Sequence, residues 1–471
     1  MNSILGRLAD LNSYFTSPPT EGLGKLIYKQ MKTFNMGGIH PKEYKFSAGK
    51  NIQPADIPKL AIIPLGHYSG SPSVPVVAVG DVVKVGQLIG RAEKFISANV
   101  HASVSGTVLK IAGQVDASGL EVQSVFIDVQ GDEWLETIDR SETLIRECTL
   151  PAAEIIEKIK DAGIVGLGGA TFPTHVKLSP PPGKKAEVLI VNGVECEPYL
   201  TCDHQLMLEK TEEILVGITL LMKAIGVSKA IIGIENNKKD AIAQMQKVVG
   251  NYTGISVVPL KVQYPQGGEK QLIEAAIGRQ VPSGALPIEV GVVVQNVATA
   301  FAVYEAVQKN KPLFERVITV TGKSCQHPGN YRARLGTPLA AIAEQAGGIP
   351  GDTGKIVAGG PMMGRALATL EVCVAKGTSG ILFIPILEAS RKNMQNCIRC
   401  TRCVVDCPMG LEPYLLMTQS ERALWAEMET DRVMDCIECG CCSYTCPSNR
   451  PLLDHIRIGK TQVAEIRRKR S

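Results

Sequence analysis

Apolar residues between positions 46 and 140 come in short Val/Ile runs, LAIIPL, VPVVAV, VVKV and ASVSGTVLKI, separated by Gly, Pro and Asp. Brief apolar runs bounded by turn formers predict β-strands folded into a compact sandwich or barrel. From about residue 150 the rhythm lengthens. It predicts a helix at Ala152–Ile159, a strand at Val188–Val191, a helix over about Glu209–Ile225 and a strand at Ile231–Ile234. A helix at Lys239–Val249 and a strand at Ile255–Val262 follow. Such alternation predicts a parallel sheet with crossover helices. Residues 312–390 return to short strands, VITVTG and GILFIPI, around one helix at Pro338–Ala346. Residues 1–45 are polar, broken by Gly and Pro, and end in GGIHPKEYK, so a strap rather than a core is expected there.

At about 150 residues per domain, 471 residues suggest roughly three domains. Hydrophobic residues at 45% and charged residues at 20% fit a soluble globular chain. A net charge of +4, from 50 Lys+Arg against 46 Asp+Glu, is too balanced for a nucleic-acid surface. With only 5% aromatic residues, a stacking platform for single strands is also a poor fit. The start, MNSILGRLADLNSYF, shows no basic segment followed by an apolar one. The longest apolar stretch, Ile214–Met222, stops at Lys223, far short of a membrane span. A cytosolic protein with reduced thiols is expected.

Those thiols change the picture. Of 14 cysteines, nine lie between Cys397 and Cys446. A disulfide scaffold would be short and secreted. Two runs stand out, Cys397-x2-Cys400-x2-Cys403-x3-Cys407-Pro408 and Cys436-x2-Cys439-x2-Cys442-x3-Cys446-Pro447. Each matches the bacterial ferredoxin run, whose first three thiolates hold one [4Fe–4S] cluster and whose fourth ligates the other. Cys397, Cys400, Cys403 and Cys446 are thereby assigned to cluster I, and Cys436, Cys439, Cys442 and Cys407 to cluster II. Cys441 is expected to stand outside the ligand set. Zinc sites use paired C-x2-C with long gaps, which two complete eight-ligand copies do not resemble. Between the runs lies the helix-prone segment YLLMTQSERALWAEME, so a helical cluster domain is expected.

A second chemical signal begins at Gly163-Ile164-Val165-Gly166-Leu167-Gly168-Gly169-Ala170-Thr171-Phe172-Pro173-Thr174-His175-Val176-Lys177. Glycines at 166, 168 and 169 allow close backbone approach to a phosphate, although a plain tight turn satisfies the same residues. The spacing differs from the dinucleotide G-x-G-x-x-G that directly follows a strand. Polar segments then recur after apolar strands: Asn192 to Pro198, Tyr264 to Glu269, and Gln295 to Thr299. Ligands of α/β sheets bind at such strand ends.

In this order the four segments resemble the FMN- and NADH-binding subunit of respiratory complex I, with its GRGGAGFPTGLKW-like loop, NADEGEP, YxxGEE and NNVET. The chain as a whole, from GGIHPKEYK to the twin cysteine runs, resembles the C-subunit family of Rnf/Rsx ion-translocating ferredoxin:NAD oxidoreductases. Gly80–Gln87 and His101–Val108 resemble the halves of a lipoyl-type barrel sandwich. Lys94 lies near the position of a carrier lysine without flanking methionines, so an unmodified structural domain is expected. Residues 316–360 are similar to the SLBB β-grasp module.

The resemblance implies a multidomain α/β protein: a strap at 1–45, a barrel sandwich at 46–140, a Rossmann-like parallel flavin domain at 150–310, an SLBB-like β-grasp at 312–390, an α-helical two-cluster ferredoxin domain at 391–451 and a basic tail at 452–471. It also implies roles. Gly166, Gly168, Gly169 and Lys177 would hold FMN, Asn192 would meet the ring or ribityl edge, and Asn296 and Thr299 the phosphate. Glu195, Glu197, Tyr264 and Glu269 would shape the cleft where nicotinamide stacks on the flavin. Three positions depart from the pattern: Val194, Gln295 and Gly268 replace an Asp, an Asn and a Glu. Phe172 is either an adenine platform or core. Of the remaining cysteines, Cys148, Cys202, Cys325 and Cys373 read as small buried hydrophobes. Cys196 falls inside the flavin segment.

The implied activity is reversible hydride transfer between NAD(H) and non-covalent FMN, then one-electron transfer through two [4Fe–4S] clusters. Implied partners are integral membrane subunits and a ferredoxin-interacting iron–sulfur subunit on the cytoplasmic side of a cell membrane, reaching ferredoxin indirectly. Arg467-Arg468-Lys469-Arg470 is either a contact for anionic lipid or a partner, or a solvated terminus. Two other readings share these motifs: a soluble flavin/iron–sulfur cobalamin reductase, and a non-catalytic electron-relay adaptor.

Overall fold

In the α/β part, strand sequences VLIVN, AIIGIE and VVVQN are apolar without alternation, as strands buried on both faces require. They form a parallel four-stranded sheet in the order Ile255–Leu260, Ala230–Glu235, Val188–Asn192, Val292–Asn296. The computed structural model that shows this describes residues 31–66 and 68–470. The first 30 residues of the expected strap lie outside the described residues.

One sheet face buries Leu189, Val191, Ile232, Ile234 and Val293 against Ile214, Leu215, Ile218 and Val303. The other buries Ile190, Leu260, Val292 and Val294 against Leu272, Ile273 and Ala276. Each such side chain contributes about 1.5–3 kcal/mol when fully buried. The helix expected over 209–225 begins at Thr211, and a separate helix, Cys202–Glu209, precedes it. Two further helices, Glu269–Ile277 and Val297–Gln308, complete the layers. The Val297–Gln308 helix crosses Gly217 so closely that a Cβ there would lie 1.9 Å from the Ala300 carbonyl oxygen.

The region expected as a barrel sandwich forms two small antiparallel sheets, one of four strands and one of three. Ala61, Ile63, Val83, Val108, Val125 and Ile127 join a core continuous with that of the α/β part. Lys94 sits on an exposed bend between strands Leu88–Arg91 and Val100–His101. One boundary differs. Ile52–Pro54, expected in the sandwich, adds instead as a parallel edge strand to Gly329–Arg334. The resulting six-stranded mixed sheet runs Ile52–Pro54, Gly329–Arg334, Glu315–Gly322, Gly380–Pro385, Thr353–Ala358, Arg365–Ala366, with the helix Leu339–Gln345 packed on it.

The cysteine-rich part is helical, with Leu411, Leu416, Met417, Met428 and Val433 at its centre. Residues 452–470, expected as a basic tail, are a helix whose Leu452, Ile456 and Val463 enter that core. Arg467 and Arg470 both pair with Glu429, at 2.7 and 2.9 Å, so the terminal charges lie against the domain. Apolar residues at 452, 456 and 463 sit on one helical face, which drives the docking. The described part of the strap is also more than a polar tether, because Phe34 and Ile39 are buried. Among the described residues, no helix is long and apolar enough to cross a membrane.

Candidate functional site

The glycine-rich loop is tied down from below. Gly166 N–H donates to the Phe172 carbonyl at 2.9 Å, and Leu167 N–H donates to Thr299 Oγ1 at 2.9 Å. Gly168 packs against the Asn296 side chain, where a Cβ would come within 3.2 Å. Gly169, at φ +121°, faces open space instead. Asn296 caps the helix Val297–Gln308, its Oδ1 accepting from Ala298 and Thr299 N–H. Its Nδ2 donates to Asp203 Oδ2 at 2.6 Å. The loop therefore rides on a helix N-terminus, the kind of place that favours an anion.

Asn192, at the carboxyl end of its strand, donates from Nδ2 to the Gly267 carbonyl at 2.9 Å and accepts from Val194 N–H at 3.1 Å. It thus joins two of the segments singled out in the sequence. Lys177 reaches across from the short helix Thr174–Lys177 to pair with Glu269 at 2.6 Å and to donate to the Val294 carbonyl at 3.2 Å. Gly166, Gly168, Gly169, Lys177, Asn192, Glu269, Asn296 and Thr299 are accordingly brought together at the carboxyl ends of the strands Val188–Asn192 and Val292–Asn296.

The other three expected cleft residues each hold a neighbouring stretch of backbone. The Glu195 carboxylate accepts from Asp203 and His204 N–H, at 2.8 and 3.2 Å, and so caps the helix Cys202–Glu209. Glu197 accepts from Met362 and Met363 N–H, at 3.2 and 2.7 Å. Tyr264 is 2% exposed, and its hydroxyl donates to the Cys439 carbonyl at 2.8 Å. A polar group that is partly or wholly buried needs such partners.

The two cysteine runs share one backbone device. In the first run Arg399 and Thr401 have positive φ, 55° and 61°; in the second Glu438 and Gly440 do, 57° and 79°. Each run then enters a short helix, Arg402–Val405 and Cys441–Thr445. Alternating left-handed residues turn successive amide groups toward one side, as an anionic cluster needs. Glu438 N–H points at Cys436 Sγ and Leu411 N–H at Cys407 Sγ, both at 3.4 Å.

The fold gathers the thiols across the runs. Cys403 has Cys446, Cys400 and Cys397 as electrostatic neighbours, whereas Cys407 neighbours Cys436, Cys439 and Cys442. Cys407, Cys436, Cys439 and Cys442 line one pocket, together with Cys441, Met409, Leu411, Ile437 and Ile456. Each set offers four thiolates, the donor number and chemistry of a [4Fe–4S] site.

Four family models match in succession: the RnfC barrel sandwich hybrid domain over 32–132, the Nuo51 FMN-binding domain over 159–305, the SLBB domain over 317–366 and the 4Fe-4S dicluster domain over 389–447. The C subunit of the Na(+)-translocating ferredoxin:NAD(+) oxidoreductase complex of Acetobacterium woodii is 45% identical over 92% of this chain and 98% of its own length. The chain belongs to the RnfC family, the C subunits of ion-translocating ferredoxin:NAD(+) oxidoreductase complexes. Its counterpart in the proton-translocating complex of Clostridium ljungdahlii is 43% identical over 92% of the chain and 94% of its own length. The counterpart in the ion-translocating complex of Rhodobacter capsulatus is 40% identical over 83% and 76%.

Within this RnfC-family chain, further buried charges surround the site. Lys45, the last residue of GGIHPKEYK, donates to the carbonyls of Glu195, Glu197 and Leu200 at 3.0, 2.8 and 2.6 Å. Burial, with Lys238 nearby, lowers its pKa. The enclosed Glu197 carboxyl is pushed up to about 7 by burial, against the pull of the two amides and Lys45. Asp203, beneath Asn296, is raised to about 7 by burial and by Glu195. Lys376 is fully buried and donates to the Asn99 and Gly163 carbonyls, at 2.6 and 2.7 Å, at the root of the glycine-rich loop. Burial brings its ammonium down to about 7. Single charged residues in loops carry no periodic signal, and only the GGIHPKEYK motif points toward one of them.

Proposed function

We propose that this chain passes electrons between NAD(H) and the other subunits of an ion-translocating ferredoxin:NAD+ oxidoreductase, on the cytoplasmic side of the membrane. Bound FMN supplies the exchange between a two-electron hydride and single electrons, and the two [4Fe–4S] clusters supply the one-electron steps. The backbone of Gly166, Gly168 and Gly169, with Asn296 and Thr299 behind it, would cradle the FMN phosphate. Lys177 and Asn192 would face its ring or ribityl edge. The Lys177–Glu269 pair would border the nicotinamide.

The observation that carries this reading is the position of the second cysteine run. Tyr264, in the flavin part, bonds directly to Cys439, so Cys436, Cys439, Cys442 and Cys407 would hold the cluster next to the flavin. Cys397 and Cys400, by contrast, are exposed. Their cluster would face the partner subunits. Around it Ile398 and Val405 are 67% and 66% exposed, beside the exposed cations Lys392, Arg399 and Arg402. An apolar patch with cations suits an acidic iron–sulfur partner, which would in turn reach ferredoxin. The integral membrane subunits would supply the ion path.

Anaerobic reconstitution with FMN, iron and sulfide, followed by NADH titration, tests the proposal. The flavin band should bleach and the cluster absorbance fall in the same titration. A flavin that stays oxidised in excess NADH would refute the NADH site.

A further inference from the structure

The strap crosses the junction between the flavin part and the cysteine-rich part, and touches both. On the flavin side, Ile39 and Tyr264 exchange backbone hydrogen bonds, Ile39 N–H to Tyr264 O at 2.8 Å and Tyr264 N–H to Ile39 O at 2.9 Å. Gln263 Nε2 also donates to the Gly37 carbonyl at 2.9 Å. On the other side, Gly38 N–H donates to the Asp406 carbonyl at 3.0 Å. Gly37 has φ +66°, and a Cβ on it would lie 2.6 Å from the Cys407 carbonyl carbon and oxygen. Tyr264, the strap's partner in the bridge, holds Cys439 through its hydroxyl. Ile39, Tyr264, Cys439 and Cys441 pack as one small apolar cluster, with Cys196 against it.

Two cysteines assigned to the same cluster, Cys407 and Cys439, are thus gripped from one short β-bridge. Cys397 and Cys400, assigned to the other cluster, are exposed. We infer that Gly37, Gly38 and Tyr264 form a positioning element that fixes the flavin-side cluster loop against the flavin part, independently of how either cofactor binds. Glycine at 37 is required twice over: its φ is left-handed, and its missing side chain admits the Cys407 backbone. The element rests on the function proposed above for its effect on electron flow, but not for its geometry.

The test compares three variants of the full chain with both clusters and FMN in place. Gly37→Ala forces the Cys407 backbone away. Tyr264→Phe removes only the hydroxyl that donates to the Cys439 carbonyl. Gly49→Ala is the control, because Gly49 has a similar φ of +71° with no atom within 4 Å of a built Cβ. Two readouts are used: amide hydrogen exchange of residues 405–410 and 438–441 in the resting protein, and stopped-flow absorbance after NADH mixing. Exchange in both segments should rise in Gly37→Ala and, at 438–441, in Tyr264→Phe, while Gly49→Ala matches the unaltered protein. Flavin bleaching should keep its rate in Gly37→Ala and Gly49→Ala. Cluster reduction should slow by roughly tenfold in Gly37→Ala, as expected for an ångström-scale misplacement. A loss of about threefold is expected in Tyr264→Phe for one hydrogen bond.

Should Gly37→Ala not fold, Tyr264→Phe carries the test alone. Exchange and cluster reduction unchanged in Tyr264→Phe, or Gly37→Ala indistinguishable from Gly49→Ala, would overturn the inference. A flavin left oxidised by NADH in the unaltered protein would instead refute the function, with the exchange data still deciding the positioning claim.

Discussion

At the scale of single residues, the site depends on buried polar groups that no pattern marks. Lys376 is the sharpest case. It is wholly enclosed, with its ammonium held down to about 7 from 10.5 by burial, so the folded chain binds fewer protons there than the unfolded chain. Stability must therefore rise with pH from about 7 toward 10.5, by up to ~1.4 kcal/mol per pH unit from this residue. Chemical denaturation at pH 7 and pH 10 should show that Lys376→Met loses this share of the rise. Lys45 makes a different prediction. Lys45→Met would leave the Glu197 and Leu200 carbonyls without their donor and the Glu195 carbonyl with only Lys238 Nζ, at 3.4 Å. The cost should be about 3 kcal/mol, read as a lower denaturation midpoint. The cluster cysteines, by contrast, are marked by spacing alone, because ligand geometry forces a short fixed repeat. Glu195, Glu197 and Tyr264 are legible as residues of this region but not in orientation, which for Glu197 and Tyr264 depends on loops far away in sequence.

Among elements, the parallel strands announce themselves through apolar runs, and Val188–Asn192, Ala230–Glu235 and Ile255–Leu260 lie where those runs predict, the last ending two residues before the expected 262. The helix Cys202–Glu209 does not, since its LMLE end runs into the next helix with only Lys210 between. The crossing at Gly217 gives a packing prediction. Gly217→Val would drive the helices Thr211–Ile225 and Val297–Gln308 apart at the Ala300 carbonyl. That overpacking should cost about 3 kcal/mol and lower the melting temperature. The terminal helix is hidden in the sequence because its basic end masks the apolar spacing before it. Ile456 is 1% exposed and lines the space between the flavin-side cysteines. Ile456→Ala should cost about 2–4 kcal/mol and lower the iron retained per chain on purification.

Across the whole molecule, the least legible features are the joints. Ile52–Pro54 pairs with Gly329–Arg334, and Lys32 forms a bridge with Leu260, contacts between segments hundreds of residues apart that local pattern cannot encode. The strap, which reads as a tether in the sequence, is a clamp between the flavin part and the cysteine-rich part. These joints set the order of the proposed electron path, from flavin to the Cys436–Cys439–Cys442–Cys407 cluster and then to the Cys397–Cys400–Cys403–Cys446 cluster at the surface. That order is tested by reducing two variants with NADH and reading each cluster by electron paramagnetic resonance. In Cys397→Ser/Cys400→Ser, which lacks the outer cluster, NADH should still reduce the inner one. In Cys436→Ser/Cys442→Ser, which lacks the inner cluster, the outer one should stay oxidised while the flavin bleaches. The opposite pattern, an outer cluster reduced by NADH without the inner one, would contradict the account.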